Sequence, residues 1–298
     1  MKKLVPAIAL ALASMAPTAF GSPSGPTILS YNIRHGKGAD GKVDLQRIAD
    51  TILREKPDLV CLNEVDCRVE RSGGADQTAE LGRLTGMHGT FAKAIDYRGG
   101  EYGNAVLSRE KPLSVVRVPL PGKEPRVLLA CEFAGCWLFA THLDGRILPG
   151  DDEPASLRSA SIIREEVAKR AKTKPVFLAG DWNARPGSKT IAAIKEYMAI
   201  LSPVDCRTFH GFKKHDPSVE YCIDYITVDR AHADGFTVVE THVAPDAVSS
   251  DHYPVAVSLR AKARADGARF PGSPPRRQTS GVAPKDFAKT CAKYCADG

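Results

Sequence analysis

Residues 176–183, Val-Phe-Leu-Ala-Gly-Asp-Trp-Asn, constrain the fold more than any other stretch of the chain. The apolar run follows Lys174-Pro175 and stops at Gly180, which fits a buried strand giving way to a tight turn. Asp181 and Asn183 stand two residues apart at that turn. Alternate side chains of an extended backbone share a side, so both can face one pocket. A carboxylate and an amide are what hard cations and phosphate oxygens bind. Taken alone, the pair reads first as an ordinary turn, because Asp and Asn also bond their own backbone.

Repetition of the pattern gives it weight. Thr27–Ile33 reads as a strand with Asn32 at its end, and Asp58–Leu62 closes on Asn63-Glu64. Gly103–Ser108 is entered through Tyr102-Gly103-Asn104. Arg126–Phe133 and Cys136–His142 flank Ala134-Gly135 as an antiparallel hairpin that ends on His142. Cys222–Ile226 carries Asp224, Phe236–Glu240 forms a further strand, and Asp251-His252 precede a last one, Val255–Leu259. Helices alternate with these strands. Asp44 caps one with Leu45, Ile48, Ala49, Ile52 and Leu53 on its apolar face, stopped by Pro57. Others are expected over Gln77–Thr85, from Pro154 to Ala171, and over Lys189–Leu201 behind Ser188. The pattern predicts an α/β fold whose strand ends gather polar groups at one edge.

The two ends of the chain read differently from its body. Lys2-Lys3, apolar Val5–Ala16 and Ala19-Phe20-Gly21 have the form of a signal peptide over residues 1–21. The mature chain is therefore expected to be secreted or periplasmic, and no later run is long enough to serve as a transmembrane segment. Residues 22–260 balance 31 Lys+Arg against 32 Asp+Glu, whereas residues 261–298 carry 8 against 3. The overall charge of +6 thus belongs to the ends, and the sum asks for no basic nucleic-acid face in the body. The tail over 261–298 reads as a flexible, Pro- and Gly-containing extension and a candidate arm for a protein partner or an anionic surface. Eight cysteines in an exported chain can pair. Cys206 and Cys222 bracket one loop, Cys131 and Cys136 flank the hairpin turn, and the connectivity stays open.

Together the strand ends supply the needs of metal-assisted phosphoester hydrolysis. Glu64, with Asp251, offers hard carboxylate oxygens to Mg²⁺, for which Mn²⁺ can substitute. The base that activates water is either an Asp224–His252 dyad or Asp181. Asn32, Asn183 and His142 can donate to phosphate oxygens where charge develops, one such donor lowering a barrier by ~3 kcal/mol.

Ser-Tyr-Asn-Ile at 30–33, Leu-Asn-Glu-Val at 62–65, Gly-Asn-Ala-Val-Leu-Ser-Arg at 103–109, Thr-His-Leu at 141–143, Gly-Asp-Trp-Asn at 180–183, Ile-Asp-Tyr-Ile at 223–226 and Ser-Asp-His-Tyr-Pro-Val at 250–255 resemble, in order, the motifs of the endonuclease/exonuclease/phosphatase superfamily. The resemblance spans residues 26–260. It implies a DNase I-like four-layer sandwich, two packed mixed β-sheets flanked by helices, and divalent-metal phosphoesterase chemistry. By position, Glu64 resembles the metal-binding glutamate and Asn32 the asparagine beside it. His142 resembles the first catalytic histidine, Asp181 and Asn183 the Asp-x-Asn pair, Asp224 the carboxylate orienting His252, and Asp251 the metal-side aspartate. Asn63 departs from the family's usual Gln.

The substrate is not fixed by the resemblance. Arg68, Arg71, Gln77, Tyr102, Asn104 and Trp182 adjoin the motif residues and are expected to surround the pocket. The arginines can grip a second phosphate or an acidic headgroup, or simply be solvated loop residues. A near-neutral body without a long insertion favours a small phosphodiester or phosphomonoester, or a lipid headgroup, over a nucleic acid duplex. An extracellular endonuclease is the rival reading, and a binding or toxin-like module without chemistry the reading of another class.

Overall fold

A computed structural model of the chain describes residues 25–148, 150–151, 153–212 and 222–262. The expected signal peptide over 1–21 and, from residue 263, the basic tail with Cys291 and Cys295 lie outside the described residues. In chain order the elements are β1 (Thr27–Asn32), α1 (Leu45–Glu55), β2 (Leu59–Cys67), α2 (Gln77–Thr85), β3 (His88–Tyr97), β4 (Gly100–Ser108), β5 (Ser114–Leu120), β6 (Arg126–Glu132) and β7 (Trp137–His142). There follow α3 (Ala155–Arg170), β8 (Val176–Asp181), α4 (Lys189–Lys195), β9 (Met198–Ile200), β10 (Asp224–Asp229), β11 (Phe236–Val243) and β12 (Val255–Ala261). They build two six-stranded mixed sheets, ordered β11-β12-β1-β2-β4-β3 and β5-β6-β7-β8-β10-β9.

Burial explains why the strands read as unbroken apolar runs. Phe177 and Ala179 of β8 face the other sheet, packing with Ile28, Cys61, Leu138 and Val257, while Val176 and Leu178 pack outward beneath α3 and α4 with Ile163, Val167 and Ile191. Strands covered on both faces need no polar alternation. On the opposite side Leu29, Val60 and Leu62 meet Ile48 and Ile52 of α1 and Leu81 of α2. The result is the expected four-layer sandwich. Asp44 caps α1 by accepting from Arg47 N, Asp76 caps α2 from Ala79 N and Ser188 caps α4 from Ile191 N.

Three local expectations are corrected. The last helix ends at Lys195, because Met198–Ile200 pairs antiparallel with β10 and extends the sheet edge. Leu53 is solvent-facing, since the buried stripe of α1 runs through Ile48, Ala49 and Ile52. Strands β3 and β5 carry charges and, in β5, Pro119, as outer strands commonly do, and this obscured them in the sequence. Among the described residues no helix is long and apolar enough to cross a membrane.

Candidate active site

Pairing register places the chemistry. His142 at the end of β7 lies opposite Asp181 at the end of β8, and Asp181 lies opposite Asp224 at the start of β10. Strands stand about 4.8 Å apart, so three adjacent positions in register put three side chains in a row on one side. The second sheet faces this row with Asn32 from β1, paired to Asn63 of β2. Glu64 enters through a bulge: the β2–β4 register shifts between Leu62 and Val65, and Glu64 has a left-handed φ of 58°. Such a conformation costs of order 1–3 kcal/mol in a non-glycine residue, and here it leaves Asn63 buried while Glu64 lines the cleft.

Asn63 joins the sheets. Its Oδ1 accepts from Asp181 N at 2.9 Å, and its Nδ2 donates to Thr141 O at 2.9 Å and Asn104 Oδ1 at 3.0 Å. Gly180 allows this approach: its φ is 142°, and a Cβ there would sit 1.8 Å from Thr141 O.

Asp181 Oδ2 is the centre of the site. Asn32 Nδ2 donates to it at 3.0 Å and to Glu64 Oε1 at 3.2 Å. His142 Nε2 and His252 Nε2 stand 3.5 and 3.6 Å from the same oxygen. Burial, then the neighbouring Asp224 charge, pushes the Asp181 carboxyl up to about 7. His252 holds Asp224 Oδ2 through Nδ1 at 2.9 Å. Burial disfavours its cation, but the Asp224 and Asp181 carboxylates outweigh that and raise it to about 10. His142 behaves oppositely. Burial, then the Arg126 guanidinium 3.3 Å from its Nδ1, holds it neutral, well below the ordinary imidazole range. Asn183 Nδ2 lies 2.9 Å from His142 Nε2 and donates to Leu143 O at 3.0 Å.

Asp181, Glu64, Asp251 and Asp224 concentrate carboxylates around a cleft of about 620 Å³. Burial and the Asp251 charge raise Glu64, and the buried Oδ1 of Asp224 has no hydrogen-bond partner. Ligand atoms of Asp181, Asp224 and His252 lie within 4.8 Å of one another. A cation relieves such crowding, so the donor set fits a hard divalent metal. The imidazolium of His252 is bonded to the Asp224 end and disfavours a cation there. This leaves Glu64, held by Asn32, and Asp251, whose Oδ2 pairs with Arg34 at 3.3 Å, as the remaining carboxylates for it.

The model for the endonuclease/exonuclease/phosphatase family matches residues 29–252. The chain belongs to that family. Among solved structures, an endonuclease/exonuclease/phosphatase from Beutenbergia cavernae is 26% identical at a TM-score of 0.62, with 79% of this chain and 71% of that one covered. A mannosyl-6-phosphatase from Bacteroides thetaiotaomicron is 21% identical (TM-score 0.60; 78% and 98% covered), and a humanized TDP2 of D. rerio 14% (0.59; 80% and 99%). These two likenesses are of fold. A search of curated proteins found no match.

The expected catalytic and metal-binding residues Asn32, Glu64, His142, Asp181, Asn183, Asp224, Asp251 and His252 are brought together here. Asn183 arrives by a route other than strand alternation: β8 ends at Asp181, whose Oδ1 accepts from Asn183 N, and Asn183 turns in at a φ of 48°. Of the six expected substrate contacts, Arg71 and Tyr102 line the cleft. Trp182 does not. It is fully buried, stacked on Tyr225 at 4.7 Å beneath α3 and α4, because it points away from its neighbour Asp181. Asn104 is buried behind Asn63 and donates to Val127 O, and Gln77 is a buried staple between Asp66 N and His35 O. Arg68 is exposed outside the cleft.

Several lining residues were missed. Arg126 opens β6, and the expected hairpin already set it beside the end of β7. Asp144 and Arg146 follow His142 within four residues, closer than Arg71 stands to Glu64. Tyr97 and Phe209 gave no motif signal.

Proposed function

We propose that the chain is an exported, divalent-metal-dependent phosphoesterase acting on a small phosphodiester or phosphomonoester. The observation that carries this is Asp181: a buried carboxyl with Asn32 Nδ2 at 3.0 Å and the Nε2 atoms of His142 and His252 at 3.5 and 3.6 Å, pushed up to about 7 by burial. Mg²⁺, or Mn²⁺ in its place, bound by Glu64 and Asp251 would polarise the phosphoryl oxygen and offset its charge. Asp181 takes the proton of the attacking water, since His252 already holds one at neutral pH. His252 is oriented by Asp224 and donates to a phosphoryl oxygen as charge builds, while Asn32 keeps Asp181 aimed and Asn183 and His142 border the same oxygens.

Substrate size follows from the arginines. Among the described residues, each arginine lining the cleft has an acidic partner, Arg71 with Asp66, Arg126 with Glu124 and Arg146 with Asp144, which favours a small ester over a long polyanion there. Arg71, stacked over Tyr97 at 4.6 Å and Tyr102 at 5.4 Å, forms a polar aromatic wall suited to a sugar or headgroup.

The test is hydrolysis by the purified chain with Mg²⁺ or Mn²⁺, with and without EDTA. The panel holds mannose 6-phosphate, bis-p-nitrophenyl phosphate, an inositol phosphate, sphingomyelin and plasmid DNA. EDTA-sensitive turnover of a small ester is expected. Cutting of plasmid alone would establish a nuclease instead, and silence throughout a module without chemistry.

A further inference from the structure

The sulfurs of Cys206 and Cys222 face each other at 3.7 Å. Both also approach one acceptor, Pro203 O, at 3.4 and 3.5 Å, so a single niche holds the two thiols. A disulfide bond measures about 2.05 Å, and closing the gap takes a shift of about 1.7 Å, within reach of side-chain rotation. Cys61, Cys131 and Cys136 differ: they are buried in apolar core, and burial pushes their thiols up. In the facing pair the contact divides the two thiols: it lowers Cys206 and raises Cys222.

We propose that Cys206 and Cys222 are a cross-linking site, whose disulfide clamps the Thr208–His210 segment against the catalytic residues. That segment is a wedge. Thr208 Oγ1 accepts from Ile223 N at 3.0 Å and Asp224 N at 3.1 Å, and Thr208 O accepts from Tyr253 N at 2.7 Å. His210 N donates to Asp251 O at 2.9 Å, and the Phe209 ring lies 4.8 Å from that of His252. The wedge therefore touches both partners of the Asp224–His252 pair through hydrogen bonds and one ring contact. A bond from Cys206 to Cys222, two residues before Asp224, makes one side of that attachment covalent.

The oxidant is a small-molecule disulfide. Cys206, partly exposed, loses its proton and attacks one sulfur of the reagent; the reagent's S–S bond breaks and one thiolate leaves. Cys222, deprotonated in turn, attacks Cys206 Sγ and expels the second thiolate. Two electrons pass from the cysteines to the reagent, which departs as two thiols carrying the released protons.

The full-length protein, treated with oxidised glutathione, alkylated without reduction and digested, should yield a peptide pair joined through Cys206 and Cys222. Alkylation of both residues, or glutathione retained on either, would overturn the proposal. Cys222→Ser should trap glutathione on Cys206, whereas Cys206→Ser should leave buried Cys222 unmodified. Amide exchange at Asp224 and Tyr253 should slow at least severalfold on oxidation; equal rates in the two states would refute the clamp. None of these readouts depends on hydrolysis, so they stand apart from the fate of the proposed activity.

Discussion

His142 and His252 direct their Nε2 atoms at the same oxygen, Asp181 Oδ2, from 3.5 and 3.6 Å, yet one ring is neutral and the other a cation. The difference lies in the group behind each ring. Arg126 stands 3.3 Å from His142 Nδ1 and repels a second proton, whereas the Asp224 carboxylate 2.9 Å from His252 Nδ1 retains one. Divided histidines around one carboxylate give a single site both a proton acceptor and a hydrogen-bond donor at the same pH.

Asp224→Asn should abolish this division. His252 then loses the first of the two charges that raise it, and its titration, followed by imidazole NMR, should move down from about 10 towards the ordinary 6.5. The stability that the raised pKa contributes is fully present below 6.5 and lost as pH rises through 10, so the variant's deficit should shrink over that window. Turnover should fall by roughly 10²–10⁴. An unchanged His252 titration would contradict the assignment.

Metal and pH act together through Asp181. Without metal the folded chain keeps this proton up to about 7, against 3.8 for the ordinary group. Its contribution to stability is thus fully present below 3.8 and disappears as pH rises through 7. A cation held by Glu64 and Asp251 favours the ionised form of the nearby Asp181, so Mg²⁺ should raise the melting temperature more at pH 8 than at pH 6. Glu64→Gln should flatten that response, measured by differential scanning fluorimetry, and reduce turnover to background.

Asn63→Ala should show how far the two sheets depend on one side chain. It strands Asp181 N and Thr141 O, each previously bonded, at about 1–3 kcal/mol per orphaned group. Urea denaturation should report a loss of at least ~2 kcal/mol. Asn63→Gln, longer by one methylene, should recover less than half of it.

Trp182→Ala should destabilise by roughly 3–5 kcal/mol, as expected for a large ring removed from a core. Trp182→Phe keeps much of the stack on Tyr225, and its KM should match wild type. Arg71→Ala, in contrast, should raise KM with kcat nearly unchanged. Steady-state kinetics on the substrate found in the panel distinguishes the two residues.

Most of the motif half of the site was legible in the sequence because those residues stand at or beside the end of an apolar strand run; Glu64 is the exception, lying within β2 at a bulge. Asn32, His142, Asp181 and Asp224 needed only the rule that strand ends gather at one edge. Side-chain direction was harder to read. Trp182 sits between two site residues and yet faces the opposite layer, and Gln77 and Asn104 are spent on buried hydrogen bonds that link segments far apart in sequence. Arg126 carries no local motif, and only the register of the expected hairpin, which sets it beside the end of β7, could have marked it. Strands β3 and β5 escaped notice for the same reason that they are soluble edges: charge and proline interrupt their pattern.

The row of His142, Asp181 and Asp224 is spaced by hydrogen bonds between backbones, and so its dimensions are those of any β-sheet. A one-residue slip of β8 would replace Asp181 with Gly180 or Trp182 and erase the chemistry at once, which makes the strand interiors intolerant of insertion or deletion. Loops that carry no reacting group have no such restriction. Lengthening the turn after Cys67 or the stretch after His142 would reshape the mouth of the cleft and leave the spacing of the reacting groups untouched. New ester specificities can therefore be explored, by natural variation or by a designer, with the catalytic distances held constant.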